Sequence, residues 1–407
     1  MIAFSSAMSA ASTAAAAARE AATEALIGLG GETPKLAVVF ASASYPDVED
    51  AARTVRSVIG DAQIVGGTAG ACVFGSDRVA SLGVSVVLLG GDGLEVLGRV
   101  APLGSPTFLE TIPVAERIAS AADGAAARGF GHFACLVLAP GIAIDGEALV
   151  TAIRKGAGEH AQLAGALTGD DFTLDRPRVF FGDELRNDCA VLVGLFTDKP
   201  VGIAARHGWT AVGPARTVTR ADGMHLVELD ERPALDVWLE DVRNAGGVPP
   251  SRDDRKALAL YLGNNYGIGI AEASAPRIAI AGEIRELVAR TPFAIREDGA
   301  VQMSASFAEG TQIRVLHATH DDLLKAAGEA AAAAVVRAGS SVAGALVFAC
   351  SGRLAALGDR FPKEPAEIRR RLGAPMGGAC VYGEIARNVR DADAFFNTTA
   401  VIVAFAS

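Results

Sequence analysis

The chain is poor in the features that announce the simplest functions. It holds five cysteines in 407 residues, scattered at Cys72, Cys135, Cys189, Cys350 and Cys380 with no CxxC pair. That spacing excludes a zinc finger and gives no disulfide framework, and thiols of this kind suit a reducing cytoplasm. Aromatic residues make up only 6% and charged residues 21%, while half the chain is apolar. Alanine and valine therefore carry the core, which favours layered helices and sheets. Basic charge is also scarce: the net charge is −10, and the Arg369-Arg370-Arg371 run is the one basic cluster. A nucleic-acid binder needs a concentrated positive face, and none is present. No apolar run is long enough to cross a bilayer as a helix. The alanine-rich start runs straight into Arg19 and Glu20 without a basic leader, so it reads as an ordinary helix over about 9–29 rather than a signal peptide.

What is present is a pattern that recurs. Three short apolar runs end in small residues: AVVFASA (37–43), CLVLAPG (135–141) and ALVFACS (345–351). Each suits a strand buried on both faces. A helix is expected after each, in 46–60, 145–158 and 363–373, with proline or aspartate near its start and glycine at its end. Glycine-rich turns follow at VGGTAG (65–70), AGALTG (164–169) and GACVYG (378–383), and then further strands at 84–90, 190–196 and 400–405. Alanine-rich helices precede the units, at about 9–29, 108–128 and 319–339, the last opening with a Thr319–Asp322 capping box. The pattern predicts an α/β fold of repeated αβ units, helix–strand–helix–Gly turn–strand. An added β-rich segment interrupts it in the second half. There, residues 205–249 predict a hairpin and a helix from near Pro233, and LALYLG (258–263), PRIAIAG (276–282) and TQIRVLHA (311–318) predict strands.

Several chemistries fail on spacing. A P-loop needs lysine and then serine or threonine after its last glycine, yet Gly70 precedes Ala71-Cys72 and Gly383 precedes Glu384-Ile385. GGDGLEVLG (90–98) lacks the dinucleotide spacing. The glycines are expected to serve backbone geometry, by positive φ or close approach. Ser351 follows Cys350 without a G-x-S-x-G elbow, which leaves a hydrolase or thiol enzyme as a minor alternative. His317 and His320 have no third partner for zinc, and no metal site is expected.

The combination of VVFASASYPDVEDAARTVRSVIGDAQIVGGTAG, WTAVGPARTVTRADGMHLVELDERPALDVW, GALVFACSGRLAALG and GACVYGEI resembles the FIST domain pair over about residues 35–405. The resemblance implies an N-type domain over 1–225 and a C-type domain over 226–407. It departs from the family at the first turn, where Val65, Gly66, Gly67 and Ala71 replace glycine–cysteine–serine and glutamate. It implies a cytoplasmic, bacterial-type sensory module, not an enzyme, that binds a small ligand, an amino acid being the usual proposal. These residues contain no kinase, receptor or F-box pattern, so the implied output runs through a separate partner such as a histidine kinase. Haem-based nitric oxide sensing is the implied alternative, with His132 and His207 as conceivable iron ligands; no other cofactor is expected. The expected ligand residues are Ser351, Gly352, Arg353, Tyr382, Gly383, Glu384 and Asn397. Arg353 would fork onto a carboxylate and Glu384 would accept from an ammonium group, with Ser351, Tyr382 and Asn397 as polar lining.

Overall fold

The computed structural model describes residues 1–141, 144–159, 161–271, 287–387 and 393–407. The fold is mixed α/β, as the sequence predicts. Among the described residues, three sheets of six strands follow one path. In the first, Ala3–Ser9 lies at the edge, beside Val84–Gly90, then Pro34–Ser42, then Gln63–Ala69. The second runs Leu94–Pro102, Cys189–Thr197, His132–Pro140, Gln162–Thr168, and the third Val201–Arg206, Ala400–Ala406, Val342–Cys350, Met376–Val381. The two strands joined by a helical crossover are parallel in every sheet, and the other pairings are antiparallel.

Alternation along the central strands explains why they read as unbroken apolar runs. Leu36, Val38 and Phe40 point into a core shared with Leu136, Leu138, Leu346 and Phe348 of the other two sheets. Their neighbours Ala37, Val39 and Ala41 face the outer helices instead. Both faces of each strand are thus out of water, so neither face can be polar. The outer helix Ala14–Gly28 buries Ala14, Ala17, Ala18, Ala21, Ala22 and Ala25, the 3–4 spacing of one helix face. Methyl groups on that face let the helix lie close to its sheet. The helix His320–Arg337 repeats this stripe with Leu323, Ala326, Ala327, Ala330, Ala331 and Ala334, and its Thr319–Asp322 capping box is present.

Each sheet is completed by a hairpin from a different part of the chain. Val179–Phe181 pairs with the first sheet, Gly383–Arg387 with the second, and Val73–Phe74 with the third. At the centre the exchange closes as a ring of backbone bonds. Gly70 N–H donates to Cys380 O (2.6 Å), Tyr382 N–H to Leu167 O (2.9 Å) and Gly169 N–H to Thr68 O (3.1 Å).

Three expectations need correction. The glycine stretches at 65–70, 164–169 and 378–383 are mostly strand, not turn. A Cβ at Gly66, Gly165 or Gly378 would lie 1.8 Å from the carbonyl oxygen of Val39, Val137 or Val347 on the parallel neighbour, so close approach is what the glycines supply. The first helix starts at Ala14, because Ala3–Ser9 forms an edge strand. LALYLG belongs to the helix Arg255–Asn265, capped by Asp254 and burying Leu258, Ala259 and Leu262. PRIAIAG lies outside the described residues, while TQIRVLHA contains the strand Gln312–His317. The β-rich segment, with nine strands among the described residues, is a sheet inserted between the strand Val201–Arg206 and the helix His320–Arg337, with its own core around Trp238.

Candidate functional site

The parallel strand Val342–Cys350 ends at the ring, and a helix missed in the sequence, Ser351–Leu357, starts at once. Ser351 Oγ donates to Gly70 O at 2.9 Å, which ties this corner to the first sheet. Above the corner lies a cavity of about 680 Å³. Its floor carries Cys350, Ser351, Gly352, Tyr382 and Asn397. One wall is the helix Arg255–Asn265, another the strand Pro292–Ile295, both from the inserted segment. Phe172 and Leu174, from the loop after the strand Gln162–Thr168, complete it.

Four of the expected residues, Ser351, Gly352, Tyr382 and Asn397, therefore share one cavity. Arg353, Gly383 and Glu384 do not line it. Arg353 is fully buried, and all of its N–H groups are spent on protein acceptors. Its Nε and Nη2 bind the Glu364 carboxylate (3.0 and 2.7 Å), Nη2 also reaches Leu323 O (2.7 Å), and Nη1 reaches His207 O (2.8 Å) and Thr398 O (3.1 Å). A fork so occupied has no donor left for a ligand carboxylate. Gly383 opens the strand Gly383–Arg387 and packs under the Phe395 ring.

Glu384 is equally buried, and its Oε2 accepts from Thr399 N–H at 3.2 Å. Burial pushes its carboxyl well above the usual range, against the pull of the Thr399 N–H, the Cys350 thiol and Arg353. The neighbouring Cys350 thiol is raised too, by burial and then by Glu384. Fully buried and outside the cavity lining, this carboxyl is out of reach of an ammonium group there. The expected clamp of Arg353 and Glu384 on a zwitterion is thus not what these side chains do here.

Tyr382 organises the loop wall. Its hydroxyl donates to Asp170 and accepts from Phe172 N–H at 3.0 Å. Asp170 also accepts from the N–H groups of Leu174, Asp175 and Arg176 and from the Thr173 hydroxyl. Burial alone would raise this carboxyl, but those donors bring it down to about 2. Phe172 and Leu174 are held at φ 60° and 55°. Left-handed backbone at bulky residues is costly and persists where surrounding bonds over-determine it. The result keeps both apolar side chains half exposed at the cavity mouth.

The inserted sheet is fastened to the three-sheet body by polar contacts near the cavity. Ser304 Oγ donates to Asn397 Oδ1 at 2.6 Å. Arg290 reaches Glu147 (2.8 Å) and Phe395 O (2.9 Å), and Ser306 bonds to Asp145. Sequence reasoning missed the whole contribution of this segment to the site. The signal was available in part: Asp254 followed by Leu258, Ala259 and Leu262 is a capped helix pattern.

Haem fits this cavity poorly. No histidine is among its described lining residues, and the one thiol there, Cys350, is held protonated. His207 is buried, takes the Trp209 N–H on Nδ1 at 2.9 Å and is lowered by burial to about 4, and His132 opens the strand His132–Pro140; neither lines the cavity. Ser351, already donating to Gly70 O, has no histidine beside it in that lining to act as a base.

Comparison with known families gives two matches: the FIST N domain over residues 35–232 and the FIST C domain over residues 234–387. A search of curated proteins finds no match. Among the described residues no helix is long and apolar enough to cross a membrane.

Proposed function

The chain belongs to the FIST family, and from that premise we propose that it is a sensory protein whose small ligand enters the cavity between the Cys350–Gly352 corner and the inserted sheet. FIST domains are associated with sensory roles in signal transduction, by small-ligand binding. The observation that carries the reading is the shared ownership of the cavity: the three-sheet body supplies its floor, the inserted sheet and helix its walls. Its volume lies in the usual range for small-molecule sites. A ligand there touches both bodies, so it binds better to one relative placement than to another and shifts the balance between them. The output passes to a separate signalling protein, for which a histidine kinase is the proposed type.

An amino acid is the ligand the family resemblance implies. With Arg353 and Glu384 engaged elsewhere, its charges would have to be met at the mouth, by Asp253, Asp254 and Lys256. The test is a thermal-shift screen of amino acids, other small acids and small uncharged aromatics on the protein and on Ala355→Trp, which places an indole in the cavity. A true ligand raises the melting temperature of the first protein and not of the second. A rise of equal size in both would show that the ligand sits elsewhere and would overturn the assignment.

A further inference from the structure

The polarity of the cavity is divided by depth. Around its floor the polar groups are the Cys350 thiol, the Ser351 hydroxyl, the Tyr382 phenol and the Asn397 amide, with the Thr291 hydroxyl and the Asn264 amide in the walls. None of them carries charge at neutral pH. Among the described residues, the charged side chains that line it, Asp253, Asp254, Arg255 and Lys256, are all exposed and lie together at the start of one helix. Three already have protein partners: Asp254 caps that helix through Ala257 N–H (3.0 Å), Arg255 pairs with Glu297 (3.2 Å), and Asp253 accepts from the Ser251 hydroxyl (3.3 Å). Around them stand four large apolar side chains left open to solvent, Phe172 (50% exposed), Leu174 (46%), Leu260 (57%) and Phe293 (41%). Exposed apolar residues are unremarkable when scattered, but a cluster around one concavity marks a binding site. Phe172 and Tyr382 make a tilted aromatic pair with centroids 6.4 Å apart, and Phe293 adds a third ring from the inserted sheet.

We infer that the ligand is an uncharged aromatic molecule, held by ring and aliphatic contacts and oriented by neutral hydrogen-bonding groups on the floor. This rests on the cavity being the ligand site and narrows what that site accepts. Among the described lining residues an ion pushed to the floor would lose its water and touch no group of opposite charge, the Asp170 carboxylate behind Tyr382 being already spent on its own donors, a cost that hydroxyl and amide dipoles do not recover. A flat ring system loses little water of value and replaces the solvent that now covers Phe172, Leu174, Leu260 and Phe293.

Calorimetric titration with three probes tests the class: 2-naphthol, 2-naphthoate and tryptophan, which carry no charge, one charge and a zwitterion. The expected result is binding of 2-naphthol, with 2-naphthoate and tryptophan weaker by roughly a hundredfold, the ratio that about 2.7 kcal/mol of unpaired charge gives. Ala355→Trp should abolish naphthol binding. Phe293→Ala, at a side chain 41% exposed, should weaken it severalfold. Tighter binding of tryptophan or naphthoate, lost in Ala355→Trp, would overturn the class while leaving the cavity as the site. Naphthol binding that is unchanged in Ala355→Trp would overturn both, and failure of all three probes to bind would overturn the class alone.

Discussion

Arg353→Ala separates a structural arginine from a ligand-binding one, because the two roles predict opposite losses. The substitution leaves the Glu364 carboxylate fully buried with its guanidinium partner gone. Breaking a buried pair from one side costs about 3–5 kcal/mol. The carbonyls of His207, Leu323 and Thr398 lose their donor in the same step. Each buried acceptor left bare adds roughly 1–3 kcal/mol, less wherever water enters the space vacated by the side chain. Even the lower end of that sum is about 6 kcal/mol, comparable with the whole stability of many domains. Urea unfolding followed by circular dichroism should therefore show a midpoint far below that of the wild type, or a chain already partly unfolded without urea. Arg353→Lys keeps the charge but offers three N–H donors instead of five, and should fall between the two. The double variant Arg353→Met/Glu364→Leu removes the orphaned charge and should recover about 3 kcal/mol of the single-variant loss. An Arg353→Ala protein that unfolds within about 1 kcal/mol of the wild type would refute this account and return Arg353 to the ligand.

Two further predictions concern pH. Glu384 has a carboxyl raised above its ordinary 4.5 in the folded state, so folding holds a proton that the unfolded chain releases. Stability should fall as pH rises from about 4.5 towards the folded value, and Glu384→Gln, an uncharged near-isostere, should flatten that slope in urea midpoints measured across the range; an unchanged slope would count against a protonated Glu384. Asp170 has the reverse sign: its carboxyl is near 2 folded against 3.8 unfolded, so its contribution is complete above 3.8 and disappears as pH falls towards 2. Loss of the charge in Asp170→Asn should cost roughly 2–3 kcal/mol at neutral pH, with that part of the gap to the wild type closing in acid; a gap that does not narrow at low pH would assign the loss to something other than the charge.

The legible part of the fold was the part whose residues are constrained from two sides. Strands such as Pro34–Ser42 are buried on both faces, so every position along most of their length is apolar and the pattern is unmistakable. The alanine stripes and the Thr319 capping box are local signals and were equally plain. Gly66, Gly165 and Gly378 were noticed, but their reason was hidden, because the carbonyl each one makes room for lies 27 to 31 residues earlier in the chain. At the site, the polar residues on the floor were visible because they follow a strand end. Arg353 was misread since an arginine beside a glycine looks the same whether its partner is a ligand or Glu364. The cavity walls were missed because Phe172 and Leu174 owe their placement to an Asp170–Tyr382 contact spanning 212 residues. Nothing local in the sequence marks those two for positive φ.

The exchange of hairpins around the ring has a consequence for how the protein can be divided and how it is made. The family boundary near residue 233 falls between two matched segments, but it is no seam. A cut there would strip Gly383–Arg387 from the second sheet and leave Val73–Phe74 without the strand it pairs with. The first fragment would then present Gln162–Thr168 as a bare edge, ready to pair with another chain. The intact protein faces a related delay. Val201–Arg206 waits for Ala400–Ala406, nearly two hundred residues later, before it has any neighbour in its sheet. Loops of that span close slowly, and their contacts reward the chain only once closed. Folding should therefore be a late and collective event, with exposed strand edges as its main hazard, and dissecting the protein into halves should yield aggregation rather than two working parts.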